Sequence, residues 1–232
     1  MSRRALSGCL AAAALLILQA GVRADQAQPR KTGPVFSADK GRFRIMLDGA
    51  TVGTEQFDIA ANGDTWVARS STDLQAPNGG EMKAVGELRL AADGAPLHYQ
   101  WSTVAPKAAS GSVSFENGAA KCSLTIGTAD PFLRDFHFDD PHVVVLDNNL
   151  YYQYAVLARV YDWAAAGEQD FHVVIPQDMI PGTVKVKLAG SSGPLSELVV
   201  TTPDLEIHLF CDANHRMIRL EVPASKVVVE RE

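Results

Sequence analysis

The sequence predicts a mainly β protein: one strongly curved antiparallel sheet, a half-barrel or incomplete barrel, with a single plug helix near residues 150–161. Three observations lead there. Apolar residues recur at every second position over most of residues 41–231. Asp48-Gly49, Asn62-Gly63, Asp93-Gly94 and Asn117-Gly118 punctuate the runs. Only around Leu150 to Tyr161 does the spacing become helical. Period-two alternation bounded by such pairs is the mark of β-hairpins, whose tight turns need positive φ.

The elements follow in order. Phe43, Ile45 and Leu47 alternate with Arg42, Arg44 and Met46, and a second strand runs from about Thr51 to Ala60. Trp66, Ala68, Ser70 and Thr72 share one face of the third. Met82, Ala84, Gly86, Leu88 and Leu90 oppose Glu81, Lys83, Glu87 and Arg89 in the fourth. Leu97, Tyr99 and Trp101 come next, then Val113 and Phe115, then Cys122, Leu124 and Ile126. The stretch Asp130 to Trp163 breaks the rhythm. Within it, Asp147-Asn148-Asn149 offers capping side chains to a helix whose Leu150, Tyr154, Leu157 and Tyr161 share one face. Strands resume with Phe171, Val173 and Ile175 and continue to Val229. About a dozen strands exceed what an open sheet holds without curling or splitting. The amphipathic helix between two strand runs is the natural plug for a curl.

Residues 1–24 read as a cleavable export signal. Arg3 and Arg4 precede an uncharged apolar run from Leu10 to Leu18, and Val22-Arg23-Ala24 supplies a cleavage site after Ala24. The run is short of the roughly 20 residues that span a bilayer. Cys9 lies before it, which is the wrong place for a lipid anchor. Residues 25–40 form a polar, flexible lead-in, and 41–232 form a single β domain. The expected location is periplasmic or secreted, with no transmembrane segment in the mature chain.

Of the 21 basic side chains in 232 residues, three leave with the signal; 18 then face 27 acids, a formal charge of −9. An acidic chain without a basic stripe is a poor partner for nucleic acid. Cys122 and Cys211 alone remain of three cysteines. Export allows them a disulfide; two separate buried thiols are the other reading.

The hairpin Asp48-Gly49-Ala50-Thr51-Val52-Gly53-Thr54, early in an exported all-β chain, resembles uncharacterised bacterial periplasmic families. The long meander with its plug helix is similar in layout to the half-barrel lipoprotein-carrier-like proteins of the bacterial envelope. That resemblance implies a lipid or other apolar small molecule held against the curved sheet. The side chains suited to line such a cavity are Trp66, Tyr99, Trp101, Phe115, Tyr151, Tyr154 and Leu157. The alternative is an interaction or assembly module that recruits an envelope protein through a sheet edge.

Catalytic chemistry has little to attach to. Gly190-Ser191-Ser192-Gly193 is a turn and not a nucleophile elbow. No Gly-rich phosphate loop or zinc-protease His pair is present, and no cofactor is expected. His137, Asp139 and His142 form the one candidate metal set, for a metal-dependent hydrolase. Period two divides them between two faces, and Asp139-Asp140-Pro141 also reads as a turn.

Overall fold

The computed structural model describes residues 35–75, 79–105, 107–139 and 143–232. The segment expected to be an export signal and the first part of the lead-in lie outside them. Among the described residues, fifteen strands and one α-helix are formed. The strands are β1 (Asp39–Leu47), β2 (Ala50–Asn62), β3 (Thr65–Gln75), β4 (Glu81–Ala91), β5 (Pro96–Ala105), β6 (Ala109–Glu116), β7 (Ala119–Ile126) and β8 (Phe132–His137). After β9 (Val143–Val145) comes α1 (Tyr152–Val160). Then follow β10 (Gln169–Ile175), β11 (Ile180–Ser192), β12 (Leu195–Thr201), β13 (Glu206–Cys211), β14 (Met217–Val222) and β15 (Val227–Arg231).

All fifteen belong to one sheet in the order β8-β7-β6-β5-β4-β3-β2-β1-β15-β14-β13-β12-β11-β10-β9. Two meanders thus join at a seam where β1 pairs with β15, from Phe43 opposite Arg231 to Leu47 opposite Val227. The ends, β8 and β9, are not paired with each other, so the curl is not closed into a barrel. One pairing departs from the antiparallel expectation: β9 runs parallel to β10, because the helical crossover between them returns the chain in the same direction.

The alternation read from the sequence sets the two faces. Phe43, Ile45, Phe57, Ile59, Ala68, Leu88, Leu90, Tyr99 and Val113 turn inward to one core with Leu150, Tyr152, Leu157 and Tyr161. Leu97 is out of phase with Tyr99 and lies exposed, because a bulge pairs Leu90 with Pro96 and Arg89 with His98. The end of the lead-in is anchored more firmly than its composition suggests. Phe36 is buried with its ring 5.6 Å from that of Trp66, and the Val35 N–H donates to Ala92 O.

The Asp130–Trp163 break contains two strands that the sequence rhythm did not mark, β8 and β9. Both are edges, and they differ sharply. Val143, Val144 and Val145 are all buried, and β9 lies against β5 inside the curl. On β8, Phe132 and Leu133 are 73% and 74% exposed. Among the described residues no helix is long and apolar enough to cross a membrane.

Candidate functional site

The inner face of β5–β8 grades from covered to open. In the row Tyr99–Val113–Cys122 every side chain is buried. The next row, Trp101–Gly111–Leu124–Phe132, begins buried and ends in the open at Phe132. One step further, Thr103 and Ala109 are half-buried and Ile126 is 40% exposed. The cause is the reach of α1. Its nine residues span about 14 Å, and it packs on β3, β13 and β14. Leu124, Ile126 and Phe132 therefore form an apolar shelf on the inner face, with Gly111 and Ala109 as its floor.

The helix is held over the sheet by buried polar groups. Glu55, on the inward phase of β2 with Phe57 and Ile59, is completely buried. Its Oε2 accepts the N–H groups of Tyr151 at 2.9 Å and Tyr152 at 3.1 Å. The capping expected from Asp147-Asn148-Asn149 is not what occurs: the helix has no side-chain cap of its own. The carboxyl group of Glu55, from a distant strand, serves its first free N–H groups instead. Burial pushes the Glu55 carboxyl up to about 8, against the hydroxyls of Ser70 and Thr72 and the two N–H groups, which favour the charged form.

Asp147 has a different task. Its carboxylate accepts Tyr99 OH at 2.9 Å, the Asn148 N–H at 3.1 Å and the Gln177 N–H at 3.0 Å. Its own N–H donates to Gln153 Oε1. Burial raises Asp147 to about 6. At the other end of α1, Arg159 reaches Asp39 at 3.5 Å and Ser37 Oγ at 3.1 Å. Arg231 donates to both Asp39 oxygens, at 2.6 and 3.2 Å. Burial alone would raise Asp39; the Arg231 hydrogen bond and the charges of Arg231, Arg159 and Arg216 outweigh it and hold the carboxyl below its ordinary value.

The aromatic residues expected to line a cavity are brought together, packed into or against the common core. Tyr99 and Leu157 are fully buried, and Trp101 nearly so. Trp66, Phe115, Tyr151 and Tyr154 are half-buried around them. Trp101 adjoins Gly111 so closely that a Cβ there would lie 2.7 Å from its indole nitrogen. Trp101 alone of the seven also borders a furrow of about 610 Å³ on β3–β7. Most of the furrow's other walls, among them Arg69, Glu87, Gln100, Ser102, Ser112 and Thr125, belong by alternation to the outer face.

Of the metal candidates, His137 is exposed at the end of β8, Asp139 is exposed beyond it, and His142 lies outside the described residues. No group of three His, Cys, Asp or Glu side chains among the described residues is placed to hold a metal ion. Cys122 and Cys211 are free, buried thiols. Of the two readings, the bridge is not formed. Burial raises Cys122 to about 11 and Cys211 to about 12, so both pack as small apolar groups.

No family model matches the sequence, and no curated protein does. Among solved structures, a β-barrel-like protein of the domain of unknown function DUF1849 from Brucella abortus superposes with a TM-score of 0.53. The match covers 84% of this chain and 94% of that one at 9% identity. The likeness is one of fold. A DUF1089 family protein from Pseudomonas aeruginosa aligns with a TM-score of 0.47, at 10% identity, over 74% of this chain and 90% of its own.

Proposed function

We propose that this is an exported, non-catalytic binding protein that takes an apolar or amphipathic small molecule on the inner face of its curled sheet. The export signal read in residues 1–24 supports the location. The observation that carries the binding reading is the shelf of Leu124, Ile126 and Phe132, an apolar stretch of inner face that α1 leaves uncovered beside Trp101. Exposed apolar groups gathered on one concave face mark a binding surface, whereas scattered ones carry no such meaning.

Native mass spectrometry of the purified protein, with organic extraction of anything it carries, tests the reading. A co-purifying lipid, or saturable binding of dansyl-undecanoic acid that Phe132→Asp and Ile126→Asp each weaken at least tenfold, is expected. An empty protein that ignores the probe would refute it.

A second reading has its own observation. Leu133 is equally exposed, on the opposite face of the same edge strand. An edge strand with no further strand beside it among the described residues, and apolar side chains on both faces, suits strand addition by an envelope protein. Crosslinking from position 133 in cells separates the two: a protein adduct favours the second reading, and its absence together with bound lipid favours the first.

A further inference from the structure

We propose that α1 is a lid latched by Glu55: the protonated carboxyl holds the first turn of the helix on the sheet, and its ionisation releases that turn and uncovers the inner face beneath. The inference rests on the binding reading for its purpose, since it extends the open shelf into the covered part of the curl.

The geometry sets one end of the helix apart. The first turn of α1 carries no acid and no side-chain cap, so Glu55 is what meets the N–H groups of Tyr151 and Tyr152. The surroundings of that contact are poorly satisfied. Glu55 Oε1, Ser70 Oγ, Thr72 Oγ1, Tyr152 OH and Gln153 Nε2 are buried together, near enough for the two hydroxyls to act on the carboxyl, but none of the five makes a well-formed hydrogen bond. The strand register gathers them: Glu55 faces Thr72, Ser70 faces Gly86, and Tyr152 OH would lie 2.9 Å from a Cβ on Gly86. Buried polar atoms left unpaired lower the cost of opening, because water satisfies them once the turn lifts.

A pivot is present as well. Asn149, just before the helix, has a φ of 59°, in the left-handed region that Asn tolerates. The far end stays pinned by Arg159 on Asp39. The groups that face the latch are the Ser70 and Thr72 hydroxyls on β3 and Tyr151 and Tyr152 on the helix. Asp147 in the preceding loop and Glu87 on β4 lie within electrostatic reach of Tyr152 beside it.

The proton balance fixes the direction. The closed state holds one proton on Glu55 with its carboxyl raised to about 8. The open, solvated carboxyl has the ordinary value near 4.5. Opening therefore releases one proton to solvent and is favoured as pH rises between those values, about tenfold per unit.

Hydrogen exchange of the purified protein at pH 5.5, 6.5, 7.5 and 8.5, corrected for intrinsic rates, tests the latch. Protection of residues 150–156 is expected to fall about tenfold per pH unit up to pH 7.5 and to level off above about 8 while β2–β4 keep theirs, and to stay flat in Glu55→Gln. Protection of the first turn that does not change with pH in the unmodified protein would overturn the proposal. So would a loss shared equally by β2–β4, which would mean global unfolding. Dansyl-undecanoic acid binding, measured in parallel, keeps the two readings apart: a pH-dependent lid without probe uptake supports the latch and refutes the ligand.

Discussion

The two ends of α1 rest on buried carboxylates of opposite character, and the contrast shows how one fold makes one contact an anchor and another a latch. Asp39 sits among arginines. Arg231 grips both its oxygens and Arg159 brings the helix to it, so the charge is matched where it is buried. Glu55 meets two backbone N–H groups and neighbouring hydroxyls. Partial positive charge at a helix start is worth at most about 2 kcal/mol. Complete burial costs an ionised carboxylate more than that. Hence Asp39 is held ionised below its ordinary value, while Glu55 is pushed up to about 8.

The largest expected effect comes from breaking the anchor. Asp39→Ala leaves Arg159 and Arg231 without their counter-charge at the seam and is expected to cost about 3–5 kcal/mol, read as a lower urea midpoint. The latch responds in the opposite sense and over a different pH window. Glu55 is raised in the folded state, so stability is fully present below about 4.5 and is lost as pH rises toward 8. Glu55→Gln is thus expected to match the unmodified protein near pH 4.5 and to exceed it at pH 8.5 by on the order of a few kcal/mol. Asp39 is lowered, so its contribution is present above the ordinary 3.8 and disappears on acidification below it. Urea midpoints from pH 3 to 9 would show both flanks.

Smaller changes sharpen the comparison. Gly86→Ala places a Cβ 2.9 Å from the Tyr152 hydroxyl, beneath the latched end. Thermal denaturation should report a loss of about 1–3 kcal/mol from this overpacking. Phe132→Ser, far from both ends on the open shelf, should leave the melting temperature almost unchanged, within about 0.5 kcal/mol, while weakening apolar-probe binding.

Much of this architecture was legible in the residues. Strict alternation on β4 placed Ala84, Gly86, Leu88 and Leu90 inward, and Asp-Gly and Asn-Gly turns marked the hairpins. Glu55 carried a signal too, a carboxylate in phase with Phe57 and Ile59. Its partners did not, because the N–H groups it caps lie 96 and 97 positions further along the chain. The edge strands escaped for opposite reasons. Buried on both faces, β9 shows three valines without alternation; β8 sets Phe132 and Leu133 side by side because both its faces are open at its start, before Phe136 enters the core. The shelf was invisible for a third reason: its residues alternate as core residues do, and only the reach of α1 leaves them uncovered.

Methyl NMR titration with lauric acid at pH 6, with the lid closed, tests the binding claim most directly. The account predicts saturable shifts of the Ile126 and Leu124 methyl signals, with Overhauser contacts from them to the acyl chain, while Ile59 and Leu157 stay in place. Unmoved shelf methyls, or shifts confined to outward-facing side chains such as Leu133, would contradict it.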